Sequence, residues 1–222
     1  MPELPEVQTT ASGLHSVLPG LKIVDIWNDY KSSYFKGKDN IKDPNFYKYF
    51  KKEIIGKRII SVNRRAKNVL INLSDNKTIL IHMKMTGHLL YGDYDKDDPY
   101  NRFIRLIFNL SNGKTLELCD TRRFAKVSLI PTDTLHLSDH LKDIGPEPLE
   151  KSFSFKKFLQ CINKKPNGKI KLVLMDQTII AGIGNIYADE SLCRSSIDPR
   201  SIVNKIPEDK MRDLYNAIKT TL

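Results

Sequence analysis

The chain opens Met1-Pro2-Glu3-Leu4-Pro5-Glu6. Initiator methionine is readily removed when the next residue is small, and that leaves a secondary amine at Pro2. An α-amino group titrates near roughly 7.7–8.0, so a sizeable fraction is unprotonated at neutral pH, unlike a lysine. Amines attack sugar or aldehyde carbons to give Schiff bases. From a proline nitrogen the product is an iminium, permanently cationic, and an electron sink for the loss of a phosphate beta to it. Glu3 and Glu6 lie close by in sequence and could move protons. Taken alone, the same residues read more simply as an acidic, proline-opened start of a helix.

Four further segments carry reactive or charged side chains. Arg64-Arg65-Ala66-Lys67 places three cations between two apolar strands, where they could hold phosphates and Lys67 could shuttle a proton. Seen by itself such a cluster is a solvated turn. His82-Met83-Lys84-Met85-Thr86-Gly87-His88 follows a strand, and an exposed methionine there could fill the gap left by an extruded base, although core packing is the usual role. Asp120-Thr121-Arg122-Arg123-Phe124 sets an arginine beside an aromatic, a pair able to face an orphaned base and stack against it, but a triplet of that kind is common. In 181–190, Gly182 and Gly184 precede a helix that Asn185 can cap, and the helix start offers N–H groups to a phosphate. A dinucleotide fold would need a strand before those glycines, and the preceding segment reads as helical.

These residues need elements to position them. Val7, Ala11, Leu14 and Leu18 share one helical face, with Pro5 suited to the first turn and Pro19-Gly20 as a stop. From Leu21 to about Ile130 the period changes to two, with strands expected over 22–27, 58–62, 68–73, 78–83, 102–110 and, after the Ser111-Asn112-Gly113 turn, 115–119. The polar stretch 91–100 reads as a surface loop. Gly145-Pro146-Glu147-Pro148 can continue neither kind of element. Beyond it Phe155, Phe158, Leu159 and Ile162 form a stripe, 170–175 is apolar almost all round as in a buried helix, 185–194 is a short helix, and Pro207 opens a last one. The expected fold class is α+β in two domains: a helix-flanked β-sandwich over 1–133, a linker over 134–150 and an all-α domain over 151–222. The abrupt stop inside the last helix reads as a piece of a longer protein.

Lysine and arginine number 36 against 26 acidic residues, a formal charge of +10 that favours a polyanionic partner, nucleic acid or a membrane surface. No window approaches the ~20 apolar residues of a membrane span, and the opening residues form no secretory signal. Cys119, Cys161 and Cys193 are odd in number and far apart, which speaks against a disulfide framework and against a zinc site within the chain. A reducing, intracellular setting is expected.

Together, and in this order, the five segments resemble the formamidopyrimidine-DNA glycosylase / endonuclease VIII family. The likeness runs from Met1 to Leu222. Met1–Val7 is similar to the family's N-terminal signature, with Leu4 and Val7 pointing to the formamidopyrimidine branch. Segment 64–70 is similar to its lysine strand, 82–89 to its His-x-x-Met-Ser-Gly segment, 120–124 to its Asp-x-Arg-Arg-Phe turn, 145–149 to its linker and 174–190 to its helix–two-turns–helix signature.

The resemblance implies a fold of β-sandwich plus helix–two-turns–helix domain, and a bifunctional glycosylase and lyase that removes oxidised purines from double-stranded DNA. Pro2 would be the Schiff-base nucleophile at C1′, Glu3 the general acid/base at the sugar, Glu6 an orienting group, and Lys67 a phosphate contact that assists elimination. Met85, Arg122 and Phe124 would fill the hole in the duplex. Asn185 and the turn at Gly182 and Gly184 would bind phosphates, and Arg65, His82, Arg105 and Lys165 are further expected DNA contacts. The chain would act as a monomer without cofactor, with one zinc possible only in a finger beyond Leu222. Phe103 and Arg105 stand where many relatives carry a pair of histidines, Thr86 replaces a serine and Ala125 a glycine. Two rivals remain: a non-catalytic damaged-DNA-binding module, and an oxidised-pyrimidine glycosylase.

Overall fold

The computed structural model describes residues 1–30 and 36–222. The chain forms two compact units. One comprises Met1–Pro2, Glu6–Arg64 and Asn68–Ser138; the other comprises Glu3–Pro5, Arg65–Lys67 and Asp139–Leu222. The stretch Asp139–Glu150, most of the expected linker, is thus counted with the helices. Gly145 donates its N–H to the Gln177 carbonyl, and the Pro146 carbonyl accepts from Ala181.

In the first unit, helix α1 (Leu4–Val17) precedes β1 (Ile23–Asn28), α2 (Pro44–Ile54), β2 (Ile59–Arg65), β3 (Asn68–Leu73), β4 (Lys77–His82), β5 (Gly87–Gly92), β6 (Ile104–Leu110), β7 (Thr115–Asp120) and β8 (Lys126–Pro131). Among the described residues the strands make two sheets, ordered β1-β6-β7-β5 and β2-β3-β4-β8. Their inner faces and the α1 stripe of Val7, Ala11, Leu14 and Leu18 bury one core with Ile26, Phe50, Ile71, Ile79, Leu106, Phe108 and Leu118. Strands β3 and β4 are buried almost throughout, as strands covered on both faces are.

Helix α2 departs from the expectation of period two up to Ile130. Asp43 caps it by accepting the Phe46 N–H, proline opens it, and Phe50 and Ile54 are buried. The short aromatic–lysine repeat there hides a helical face beneath residues that also suit strands. Strands β5 and β8 were also missed. In β5 Leu89 and Tyr91 pack on the core, but the exposed Leu90 between them is apolar too, so the residue types do not alternate as the burial does.

The second unit holds α3 (Phe155–Ile162), α4 (Ile170–Met175), α5 (Asn185–Arg194) and α6 (Glu208–Thr221). Phe158, Ile162, Val173, Leu174, Ile180, Ile183, Leu192, Leu214 and Ile218 form its core. The Tyr215 hydroxyl donates to the Phe153 carbonyl while its ring packs on Phe155 and Phe158. Ser154 caps α3 through the Lys157 N–H. Helix α4 is not buried all round, because Leu172 is 64% exposed.

Candidate active site

The Glu3 carboxylate is 2% exposed. It accepts hydrogen bonds from the N–H groups of Gly184 at 2.7 Å, Ile186 at 2.9 Å and Tyr187 at 3.3 Å. A helix leaves its first N–H groups unsatisfied and carries partial positive charge there, so the Glu3 carboxyl group is held at a fixed place. Two glycines make room for it. A Cβ on Gly184 would lie 2.4 Å from Glu3 Cδ, and one on Gly182 would lie 2.6 Å from Leu4 Cδ1, with Gly182 at φ +85°. The Leu4 N–H completes the join on the Gly182 carbonyl.

This arrangement corrects two expectations. Asn185 is not the cap: Gly184 occupies the N-cap position and Asn185 is the first helical residue. The Gly184 N–H is taken by Glu3 and the Gly182 N–H by Gln177 Oε1, so neither is left for a phosphate. The exposed Asn185 side chain remains a surface group at this helix start.

Pro2, directly before Glu3, is half-buried, Met1 and Glu6 are exposed, and Lys67 is 5% exposed. Arg65 departs from expectation. Its guanidinium pairs with Glu147 Oε1 at 2.7 Å and donates to the carbonyls of Ile144 and Gly145. The Ala66 N–H joins the same Glu147 oxygen, and Ala66 has φ 50°. Arg65 therefore ties down the turn before Lys67 and the 144–147 segment.

Two turns of the first unit carry the expected gap-filling residues. Met85 is 45% and Phe124 48% exposed, and the exposed Arg122 guanidinium stacks 4.6 Å from the Phe124 ring centroid. A Cβ on Gly87 would lie 2.4 Å from the Met83 carbonyl oxygen, so the Met85 turn closes tightly only with glycine there. Beneath lies Asp120, fully buried, accepting from Thr86 Oγ1, the Ala125 N–H and the Tyr30 hydroxyl. Burial alone would raise its pKa; these donors outweigh burial and hold it below the usual carboxylate range. Burial and the Asp120 charge push the Tyr30 phenol well above its ordinary range.

Arg105 is 7% exposed and bonds to Asp29 Oδ2 and to the carbonyls of Asp120 and Ile104. It braces the Asp120 turn from within and is no surface DNA contact. The half-buried His82 accepts the Lys84 N–H at Nδ1, and the exposed Lys165 pairs with Asp176. The sequence reading missed Asp29, Tyr30 and Lys42. Lys42 Nζ donates to the Arg123 carbonyl at 2.6 Å and sits 5.0 Å from the Tyr30 ring centroid. Burial pulls its pKa down to about 8, with Lys126 and Lys84 adding to the fall and Asp120 opposing it.

Among the described residues no group of three or more His, Cys, Asp or Glu side chains could hold a metal ion, so the residues present do not fit a zinc site. No helix among them is long and apolar enough to cross a membrane.

Comparison with known proteins places this geometry. The formamidopyrimidine-DNA glycosylase N-terminal domain matches residues 1–127, and the H2TH domain of the same family matches residues 144–222. The chain is 41% identical to the formamidopyrimidine-DNA glycosylase of Pelotomaculum thermopropionicum over 100% of its own length and 76% of that protein. It is 37% identical to that of Lactobacillus acidophilus with the same coverage of both. Among solved structures, Lactococcus lactis Fpg in complex with abasic-site DNA aligns at a TM-score of 0.85 and 31% identity, over 98% of this chain and 76% of that one. The same enzyme with an N7-benzyl-Fapy-dG DNA gives 0.85 and 32%, over 99% and 77%. The chain belongs to the formamidopyrimidine-DNA glycosylase family.

Proposed function

We propose that this protein is a bifunctional DNA glycosylase and abasic-site lyase of base excision repair, acting inside the cell as a monomer on double-stranded DNA that carries an oxidised purine. In this reading 1–133 is the catalytic domain, 134–150 the linker and 151–222 the DNA-binding helical domain. The observation that carries it is the Glu3 carboxylate fixed on the Gly184, Ile186 and Tyr187 N–H groups, next to the residue whose nitrogen becomes the chain terminus once the exposed Met1 is removed.

The Pro2 nitrogen lone pair forms a bond to C1′ of the damaged nucleotide. The C1′–N bond breaks, and its electrons leave with the base, which takes up a proton. Glu3 takes up the proton that the Pro2 nitrogen loses on bonding and passes it to the ring oxygen as the sugar ring opens, which gives the iminium. Loss of a C2′ proton pushes electrons into that iminium and expels the 3′-phosphate, which nicks the strand. Glu6 orients the opening turn, and Lys67 supplies a cation for the phosphate. Because the glycosidic bond is hidden in the stack, the base is extruded first, and Met85, Arg122 and Phe124 fill the gap. Asn185, His82 and Lys165 are the proposed outer DNA contacts.

Borohydride reduces an iminium to a stable amine. Native protein incubated with an 8-oxoguanine duplex and borohydride is expected to yield a covalent adduct whose peptide map places DNA on Pro2, and Pro2→Gly is expected to lower trapping more than tenfold. Material that keeps Met1 yet cuts the duplex equally well sinks the reading. A second reading, excision of oxidised pyrimidines, is favoured by the likeness to Lactococcus lactis Fpg solved with an oxidised pyrimidine in its DNA, at 32% identity. Excision rates on 8-oxoguanine and thymine glycol duplexes separate the two.

A further inference from the structure

The Met85 turn joins β4 to β5, and the Arg122–Phe124 turn joins β7 to β8. Strand β4 pairs with β8, His82 opposite Lys126, in one sheet. Strand β5 pairs with β7, Gly87 opposite Asp120, in the other. Both turns therefore cross from sheet to sheet side by side. Backbone pairing ends at their edges, so something else must keep their tips in register.

Two side chains do so. Thr86 Oγ1 donates to Asp120 Oδ1 at 2.5 Å and accepts the Arg122 N–H at 3.1 Å. Asp120 Oδ2 accepts the Ala125 N–H at 2.7 Å and the Tyr30 hydroxyl at 3.0 Å. One hydroxyl and one fully buried carboxylate thus link the residue after Met85 to the backbone on both sides of Phe124. Arg123, between the two exposed side chains, has φ 57°. It is fixed by Asp29 through its guanidinium and by Lys42 through its carbonyl. The backbone is anchored at Arg122, Arg123 and Ala125, whereas the Met85, Arg122 and Phe124 side chains face solvent.

We propose that Thr86 and Asp120 are positioning residues that couple the two turns, so that Met85, Arg122 and Phe124 enter a duplex as one preset wedge. The inference rests on the reading that these three fill the gap left by an extruded base. A wedge ordered before contact avoids the cost of ordering two turns during insertion. Hydrogen bonds to a buried carboxylate are strong enough to hold that order.

The test uses a duplex containing a tetrahydrofuran abasic analogue beside 2-aminopurine, whose fluorescence rises when it unstacks. No bond is cleaved, so the result is independent of whether Pro2 is the nucleophile; borohydride trapping on the same preparations reports that separately. Thr86→Val keeps the shape and removes the hydroxyl, and is expected to slow the fluorescence rise about tenfold or more, in line with the loss of a charged hydrogen bond. Affinity for undamaged duplex should stay unchanged, and Thr86→Ser should restore the rate to within about twofold. Should Thr86→Val not fold, the wild-type protein gives the answer by hydrogen exchange. The Arg122 amide is expected to be protected in the free protein as strongly as that of Ala125. Equal insertion rates for Thr86→Val and wild type overturn the proposal. So do a Thr86→Ser variant as slow as Thr86→Val, a parallel loss of binding to undamaged duplex, no fluorescence change with wild type, or an unprotected Arg122 amide.

Discussion

Lys42 is an ammonium that the fold keeps out of water, and its behaviour with pH follows. In the folded state its pKa is about 8, against an ordinary 10.5. Below the lower value both folded and unfolded chains carry the charge, and the folded state bears the full cost of burying it. Between the two values the folded amine is neutral while the unfolded chain still binds a proton, so stability rises with pH across that window. Asp120 favours the charged form, and Lys126 and Lys84 oppose it. Urea melts at pH 7.5 and 10 should therefore give a more favourable pH-dependent change for wild type than for Lys42→Met. The same change in both would show that Lys42 does not titrate in that window. Nothing local in the sequence announces this lysine, because its partners Arg123 and Tyr30 are brought to it by the sheets. The internal ties of Arg65 and Arg105 were hidden in the sequence for the same reason. Their carboxylate partners lie 82 and 76 residues away, and charge alone does not distinguish a phosphate contact from an internal tie. Pro2 is legible because its proposed role depends only on position at the chain start, a feature visible without any fold.

Among elements, the start of α5 carries the sharpest prediction. Gly182 combines φ +85° with Leu4 pressed against the place of its missing side chain. Gly182→Ala is expected to cost more than about 1 kcal/mol by denaturant melt, since both conformation and space oppose it. Gly184→Ala meets only the end of the Glu3 side chain, so the fold should survive while the carboxylate is pushed off its three N–H donors. Cleavage of a lesion duplex should then fall more steeply than stability. If Gly184→Ala keeps full activity, the seating of Glu3 on α5 is irrelevant to the chemistry. The glycines were legible as a turn, and 185–194 as a helix. The occupant of that helix start was not, because an asparagine at its first position advertised a local cap while the real acceptor comes from the other end of the chain. Strands β3 and β4 were legible because each centres on an unbroken apolar triplet, Val69–Ile71 and Ile79–Ile81, with polar residues on either side. Helix α2 was not, because aromatic residues suit strands as well as helices.

For the whole molecule, a formal charge of +10 in 222 residues makes attraction to DNA largely electrostatic and independent of sequence. Binding to undamaged duplex should weaken at least about tenfold between 50 and 200 mM salt, with a linear log–log slope that counts displaced counterions. A flat salt dependence would remove DNA as the partner of this charge. If the exposed Met85, Arg122 and Phe124 fill the gap as proposed, they should add a contribution seen only with damaged duplex and less sensitive to salt, since stacking displaces no counterions.

The seat of Glu3 also sets an order of events during synthesis. The third residue leaves the ribosome among the first, yet the amides that receive it belong to residues 184, 186 and 187. Until residue 187 has been made, the acid that would act on deoxyribose has no cradle. A translation product interrupted before that point can expose the amine at its front end but cannot seat Glu3 beside it, so under the proposed chemistry an unfinished copy lacks the pair.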